Sequence, residues 1–238
     1  MIFFRSLLYQ IVLVLSSLLF SIAMLCVSIL PATKLLDRLA KYWGHTNLWA
    51  LKILCGLSYR VTGLEHLPKE PVVVLAKHQS AWETIAFWVL LPEHQSWVLK
   101  QELTRIPFFG WALTRCRPIA IDRSAGRREI TKLIQEGTER LNAGRNVIIF
   151  PEGTRVAPGT HHAYGVGGAL LAERSGRPIL PIAHNAGVFW GRRSLMKRPG
   201  IIDVVIGPLI EPAGRKATKI NALAEEWIEK TVAKLPTE

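Results

Sequence analysis

Residues 7–30 carry no charged side chain and consist largely of Leu, Ile, Val and Ser. As a helix rising about 1.5 Å per residue, such a run can cross a hydrocarbon core of roughly 30 Å, which commits the start of the chain to lipid. A cleaved signal peptide is the competing reading, but the run is long for one and no clear small-x-small site follows it. Only Arg5 precedes the run, whereas Lys34, Arg38 and Lys41 follow it, a bias that places the remainder in the cytoplasm. Tyr42, Trp43, Trp49 and Lys52 add interfacial rings and an amine, so 32–57 reads as a second helix at headgroup level. Whether the first helix spans the bilayer or the pair forms a hairpin dipped into one leaflet stays open. Residues 1–57 are expected to attach the chain to a membrane, and 58–238 to form its working domain.

From Tyr59 the hydropathy pattern changes. Pro71 is followed by Val72-Val73-Val74-Leu75-Ala76, a β-branched run that reads as a buried strand, and 81–91 then reads as a helix. Further strands are expected at 59–62, 97–100, 118–122, 146–150, 179–183 and 203–206. Helices are expected at 127–141, 167–175 and 216–235, the last with Ile220, Leu223, Ala224, Trp227 and Ile228 on one face. Strands separated by helical segments define an α/β domain, with a mixed, largely parallel sheet flanked by helices.

His78 falls on the turn between the first buried strand and the helix after it, where α/β enzymes place their chemistry. An imidazole there can take a proton from a hydroxyl, provided something fixes its tautomer. Glu83 is the partner in reach, if His78 stands before the helix and Glu83 lies in its first turn. Ser80-Ala81-Trp82-Glu83 also reads as a capping box, with Glu83 bonding back to the Ser80 amide; a carboxylate can serve both roles. No Gly-x-Ser-x-Gly elbow accompanies Ser80.

Asp122-Arg123 and Phe150-Pro151-Glu152-Gly153-Thr154-Arg155 each end an apolar strand. An arginine fork with a glycine beside it suits an anion, so Arg123, Gly153, Thr154 and Arg155 form a candidate phosphate cradle; the plain alternative is a solvated arginine after each strand. The formal charge of +12 likewise points to an anionic partner: nucleic acid, acidic lipid or a phosphorylated substrate. Cys26, Cys55 and Cys116 are odd in number and widely spaced, which speaks for a reducing compartment and against a disulfide framework. With the histidines scattered, no metal site is expected.

His78-x-x-x-x-Glu83, Ile119-Ala120-Ile121-Asp122-Arg123, Phe150 to Arg155 and Pro178-Ile179-Leu180-Pro181-Ile182 occur in this order. Together they resemble the four blocks of the glycerolipid acyltransferase family, most closely its bacterial 1-acyl-sn-glycerol-3-phosphate acyltransferases. The resemblance implies that His78, oriented by Glu83, deprotonates the sn-2 hydroxyl of lysophosphatidic acid as it attacks the thioester of acyl-CoA or acyl carrier protein. It further implies that the second and third blocks hold the glycerol 3-phosphate end, with Glu152 orienting the loop or binding acceptor hydroxyls; a salt bridge from Glu152 to Arg123 or Arg155 is the alternative. The implied setting is the bacterial inner membrane, catalytic domain toward the cytoplasm, with no cofactor and no nucleic-acid partner. Many members carry Asn before the histidine and Asp as its partner, where this chain has Lys77 and Glu83. Rival readings are transfer to another lysophospholipid, glycerol 3-phosphate or an amine lipid, or a non-catalytic protein that binds anionic lipid.

Overall fold

The chain begins with two long helices, α1 (Ile2–Val27) and α2 (Thr33–Cys55), packed along each other. The computed structural model describes residues 1–29, 33–122 and 126–237. Helix α1 starts before the uncharged run because Arg5 is accommodated, its Nε donating to the Leu54 carbonyl at the end of α2. The helix buries Ser6, Tyr9, Ser16, Ser21 and Met24, and exposes Phe4, Leu8, Ile11, Leu15, Leu19 and Ile22. That distribution is the reverse of a water-soluble helix. Small and polar residues meet the neighbouring helix, Ser16 Oγ lying 3.1 Å from the buried Asn47 Oδ1, as helices pack where lipid covers the outer face.

A buried ion pair fixes α2 to the rest of the protein. Arg145 clasps Asp37 with both terminal nitrogens, at 3.2 and 3.0 Å, and also donates to the carbonyls of Gln95 and Cys116. His94 Nδ1 closes on the same carboxylate at 2.6 Å.

The domain proper alternates strands and helices: β1 (Leu57–Thr62), β2 (Val73–Ala76), α3 (Trp82–Leu90), β3 (Gln95–Lys100), α4 (Phe109–Arg115), β4 (Ile119–Ile121), α5 (Arg127–Asn142), β5 (Asn146–Ile149), α6 (Gly167–Ser175), β6 (Ile179–His184), α7 (Ala186–Phe189), β7 (Gly200–Ile206) and α8 (Ala217–Val232). The strands form one sheet in the order β1-β7-β6-β2-β5-β3-β4. Every pairing is parallel except β6 with β7, so the sheet is mixed and largely parallel, as the strand and helix pattern predicts. Strand β2 lies inside it, and its side chains alternate between two cores. Val74 and Ala76 join Trp82 and Phe87 of α3, while Val73 and Leu75 join Leu171 of α6 and Ile220 of α8. At Gly168 a Cβ would meet Leu75 Cδ2 at 2.6 Å, so glycine lets α6 approach β2.

Three strands start earlier than expected. Strand β1 takes in Leu57 and Ser58, which pair with Gly200 and Ile201 of β7, so α2 ends at Cys55 and not at 57. Strand β3 takes in Gln95 and Ser96, polar residues whose burial is offset by specific partners: Gln95 Nε2 donates to the Phe87 carbonyl at 2.8 Å, and Ser96 Oγ accepts from Arg145 at 3.0 Å. Strand β7 begins at Gly200 because it runs in register with β1, Gly200 opposite Leu57, a pairing that no local pattern announces. The four-residue α7 had no periodicity to mark it.

Candidate active site

Strands β2 and β5 are parallel neighbours, so the turns that follow them emerge at the same end of the sheet. The first carries His78, the second Phe150 to Arg155. Glu83 stands in the first turn of α3, wholly buried, and its Oε1 is the focus of the turn. It accepts from His78 Nδ1 at 2.8 Å, the Gln79 amide at 2.8 Å and the Ser80 amide at 2.7 Å. The dyad contact and the cap therefore coexist on one oxygen, with the Trp82 amide donating to Ser80 Oγ at 3.1 Å.

This network assigns the histidine tautomer. An ionised carboxylate only accepts, so Nδ1 carries the proton and Nε2 keeps its lone pair. The ring stacks on Phe150, with centroids 4.1 Å apart and planes 10° apart, and the side chain is 14% exposed on the wall of a cavity. Such an imidazole, held by a carboxylate on one side and a phenyl ring on the other, can accept a proton at Nε2 without reorienting. Behind it, buried His184 donates from Nε2 to the Lys77 carbonyl at 2.8 Å and accepts the Ala186 amide at Nδ1 at 3.2 Å. Burial holds His184 below the ordinary imidazole range, against the opposing pull of Glu83.

Burial alone would push the Glu83 carboxyl up. The imidazole of His184, the His78 hydrogen bond and the Ser80 amide outweigh it and hold the group below the usual carboxylate range. Because the folded-state value is depressed, the stabilisation from ionised Glu83 is complete above the unfolded value near about 4.3 and is lost as pH falls through the folded one. Glu83→Gln keeps an acceptor oxygen but cannot titrate. Acid unfolding followed by circular dichroism should show wild type losing stability more steeply than Glu83→Gln below about pH 4; parallel curves would remove the charge from this account.

Glu152 is buried and engaged. Its Oε2 accepts the His78 amide at 2.7 Å and its Oε1 lies 2.7 Å from Lys77 Nζ. Lys77, 1% exposed, also reaches Glu229 Oε1 of α8 at 2.8 Å, and Tyr164 donates its hydroxyl to that same oxygen at 2.8 Å. Glu152 thus pairs with Lys77, not with Arg155, and stands apart from the residues lining the cavity. Burial raises its carboxyl above the usual range, against the opposing pull of Lys77 and the His78 amide.

Gly153, Thr154 and Arg155 line the cavity together with His78. The loop is locked by three backbone bonds: Gly153 N to Phe150 O at 3.0 Å, Val156 N to His78 O at 2.8 Å and Gly165 N to Pro151 O at 2.9 Å. At φ +69°, Gly153 occupies the left-handed region that favours glycine. Arg123 lies outside the described residues. Sequence reasoning missed the roles of Phe150, Lys77, Tyr164 and Glu229, and also the presence of Arg192 and Arg193 on the same cavity wall. The only signal available was Lys77 itself, a lysine directly after a buried strand.

The cavity measures about 930 Å³. Its walls are mostly apolar, with Phe20 and Met24 from α1, Trp43 from α2, Trp88 from α3, Leu113 from α4 and Leu133 from α5. Its polar lining includes His78, Lys100, Glu129, Thr154 and Arg155. Among the described residues no group of three or more His, Cys, Asp or Glu side chains is placed to hold a metal ion.

An imidazole seated by a buried carboxylate at a strand-to-helix turn, beside an apolar chamber, defines an α/β enzyme built for a substrate with an apolar tail. Comparison with known proteins makes the class specific. The family model described as Acyltransferase matches residues 58–185. A 1-acyl-sn-glycerol-3-phosphate acyltransferase of Pseudomonas aeruginosa is 43% identical over 210 residues, covering 87% of this chain and 81% of that protein. A 1-acyl-sn-glycerol-3-phosphate acyltransferase of Saccharomyces cerevisiae is 30% identical over 135 residues, 56% of this chain and 44% of that one. The crystal structure of the 1-acyl-sn-glycerophosphate (LPA) acyltransferase PlsC from Thermotoga maritima shares the fold, with a TM-score of 0.81 at 20% identity over 97% of this chain and 94% of that one. The chain belongs to the acyltransferase family.

Proposed function

We propose that this acyltransferase transfers an acyl chain from a thioester, acyl-CoA or acyl carrier protein, to the sn-2 hydroxyl of lysophosphatidic acid, giving phosphatidic acid and a free thiol. The observation that carries the reading is the hydrogen bond from His78 Nδ1 to Glu83, which leaves the Nε2 lone pair free on the wall of a mostly apolar cavity that Arg155 also lines. In this mechanism His78 Nε2 takes the hydroxyl proton as the oxygen attacks the thioester carbon. Glu83 steadies the imidazolium that forms, and the proton then passes to the departing thiolate. Gly153, Thr154, Arg155 and Arg123 hold the acceptor phosphate, and Glu152 fixes the backbone of His78. The similarity to proteins named 1-acyl-sn-glycerol-3-phosphate acyltransferase supports the acceptor.

Both substrates carry acyl chains, and the exposed apolar face of α1 suits a protein that meets them at a bilayer. The setting we infer is the bacterial inner membrane with the domain in the cytoplasm.

The test is thiol release from acyl-CoA by the full chain in detergent micelles, with and without lysophosphatidic acid. Acceptor-dependent release with phosphatidic acid as product supports the reading, and release that no acceptor stimulates overturns it. Arg155→Ala should raise the acceptor KM about tenfold or more, as expected for losing a charge-assisted hydrogen bond of about 1.5–3 kcal/mol, with kcat little changed. An unchanged acceptor KM would take Arg155 out of the phosphate site.

A further inference from the structure

Between α7 and β7 the chain makes a loop whose two arginines reach the catalytic cavity. Arg192 and Arg193 line the same chamber as His78, Thr154 and Arg155, and Arg192 Nη1 donates to the Arg155 carbonyl at 3.1 Å. Among the described residues none of Arg155, Arg192 and Arg193 forms an ion pair with a carboxylate. These three guanidinium groups and Lys100 share the chamber with one carboxylate among the described residues, Glu129, so its lining carries an excess of positive charge suited to an anion.

The loop is held in place. Trp190 Nε1 donates to the Ser194 carbonyl at 3.1 Å, and the Arg198 amide donates to the Phe189 carbonyl at 2.9 Å. Lys197, 1% exposed, is gripped by α1: its amide donates to Ser6 Oγ and its ammonium to Gln10 Oε1, each at 2.9 Å, with Nζ over the rings of Trp190 and Tyr9. Arg193 itself sits at φ +57°, a conformation that costs a residue with a Cβ about 1 kcal/mol or more and is retained where the surroundings impose it.

We propose that Arg192 and Arg193 complete the binding site for the acceptor's phosphate beside Arg155, and that they select acceptors bearing an uncapped phosphomonoester. This rests on the function proposed above. In lysophosphatidic acid the phosphate is separated from the sn-2 hydroxyl only by two carbons and an ester oxygen, so it must lie near His78, where Arg155 already stands. A phosphomonoester carries nearly two charges on three free oxygens, a phosphodiester one charge on two. Three guanidinium groups satisfy the first better than the second, whereas a single arginine separates them weakly.

The experiment uses the full chain in detergent micelles, with one labelled acyl-CoA and two acceptors, lysophosphatidic acid and lysophosphatidylglycerol. The variants are Arg192→Ala, Arg193→Gly and the double variant; glycine fits φ +57° without strain, so the second change removes the guanidinium and leaves the loop. The double variant should raise the KM for lysophosphatidic acid at least about tenfold while kcat and the acyl-CoA KM stay within about threefold. Preference for lysophosphatidic acid over lysophosphatidylglycerol should fall, and Arg192→Lys should keep part of it. A rise in the acyl-CoA KM alone would mean that the arginines hold the donor's phosphates, and unchanged constants would mean that they are solvated side chains; either result overturns the proposal. A wild-type protein that acylates neither acceptor overturns the proposed function itself, a result separate from the other two.

Discussion

Replacing His78 with alanine is expected to leave a folded protein whose acyl transfer is slower by at least about a hundredfold. Positioned base catalysis contributes roughly 10²- to 10⁴-fold; among the described residues the other carboxylate and the amine on this wall are engaged elsewhere, Glu129 Oε2 with the Asp122 amide at 2.9 Å and Lys100 with Glu102 at 3.8 Å. Lys77 and Glu152 are occupied with each other, His184 is buried, and arginine does not give up its proton. The fold should tolerate the change because Glu83 Oε1 keeps the Gln79 and Ser80 amides when the imidazole is gone. Alanine gives up the stack on Phe150 and one hydrogen bond, together on the order of 1–2 kcal/mol. Initial rates of thiol release and thermal melts on the same preparation check both halves. A variant that turns over normally would make His78 a structural residue, whereas one that fails to melt cooperatively would show that the ring supports the turn rather than the reaction. His78→Gln distinguishes the two further, since it retains a donor toward Glu83 but offers no comparable base; its stability should approach wild type while its rate stays low.

The parts of this arrangement that local chemistry controls were legible in the sequence. An apolar β-branched run announced β2, and the capping residues placed Glu83 at the start of α3. The five-residue separation from His78 then required a turn between them, which is what the two main-chain amides on Glu83 Oε1 close. Elements set by distant partners were not legible. Gln95 and Ser96 look like loop residues until Phe87 and Arg145 satisfy them, and the early start of β7 follows from pairing with β1. The same holds for the site. Glu229 lies far along the chain from Lys77, and no spacing rule connects them; Arg192 and Arg193 read as two more basic residues in a chain of charge +12 until the fold turns them onto the cavity.

Lys77→Met is expected to destabilise the protein by about 3–5 kcal/mol, the usual cost of stripping the partner from a buried charge. For a chain of this size that lowers the melting temperature by roughly ten degrees. The methionine fills most of the volume, so the loss is electrostatic: Glu152 keeps the His78 amide but loses its cation, with Glu229 close by as a second carboxylate. Two consequences separate this from a packing defect. The double variant Lys77→Met/Glu152→Gln should recover most of the stability, since glutamine can still accept the His78 amide and carries no charge. Glu229→Gln in the same background should recover less, because that side chain is 24% exposed and solvent screens it. The second consequence is a pH dependence. The carboxyl of Glu152 is already held above its ordinary range, and removing Lys77 raises it further. A carboxyl raised in the folded state contributes stability below its unfolded value near about 4.3 and loses it as pH rises through the folded value. The melting deficit of Lys77→Met should therefore shrink as pH is lowered from about 8 toward 5. A deficit that is the same at both ends, or that Glu152→Gln leaves in place, would show that Lys77 acts through its packing, and that the backbone of His78 does not depend on a charge-balanced Glu152.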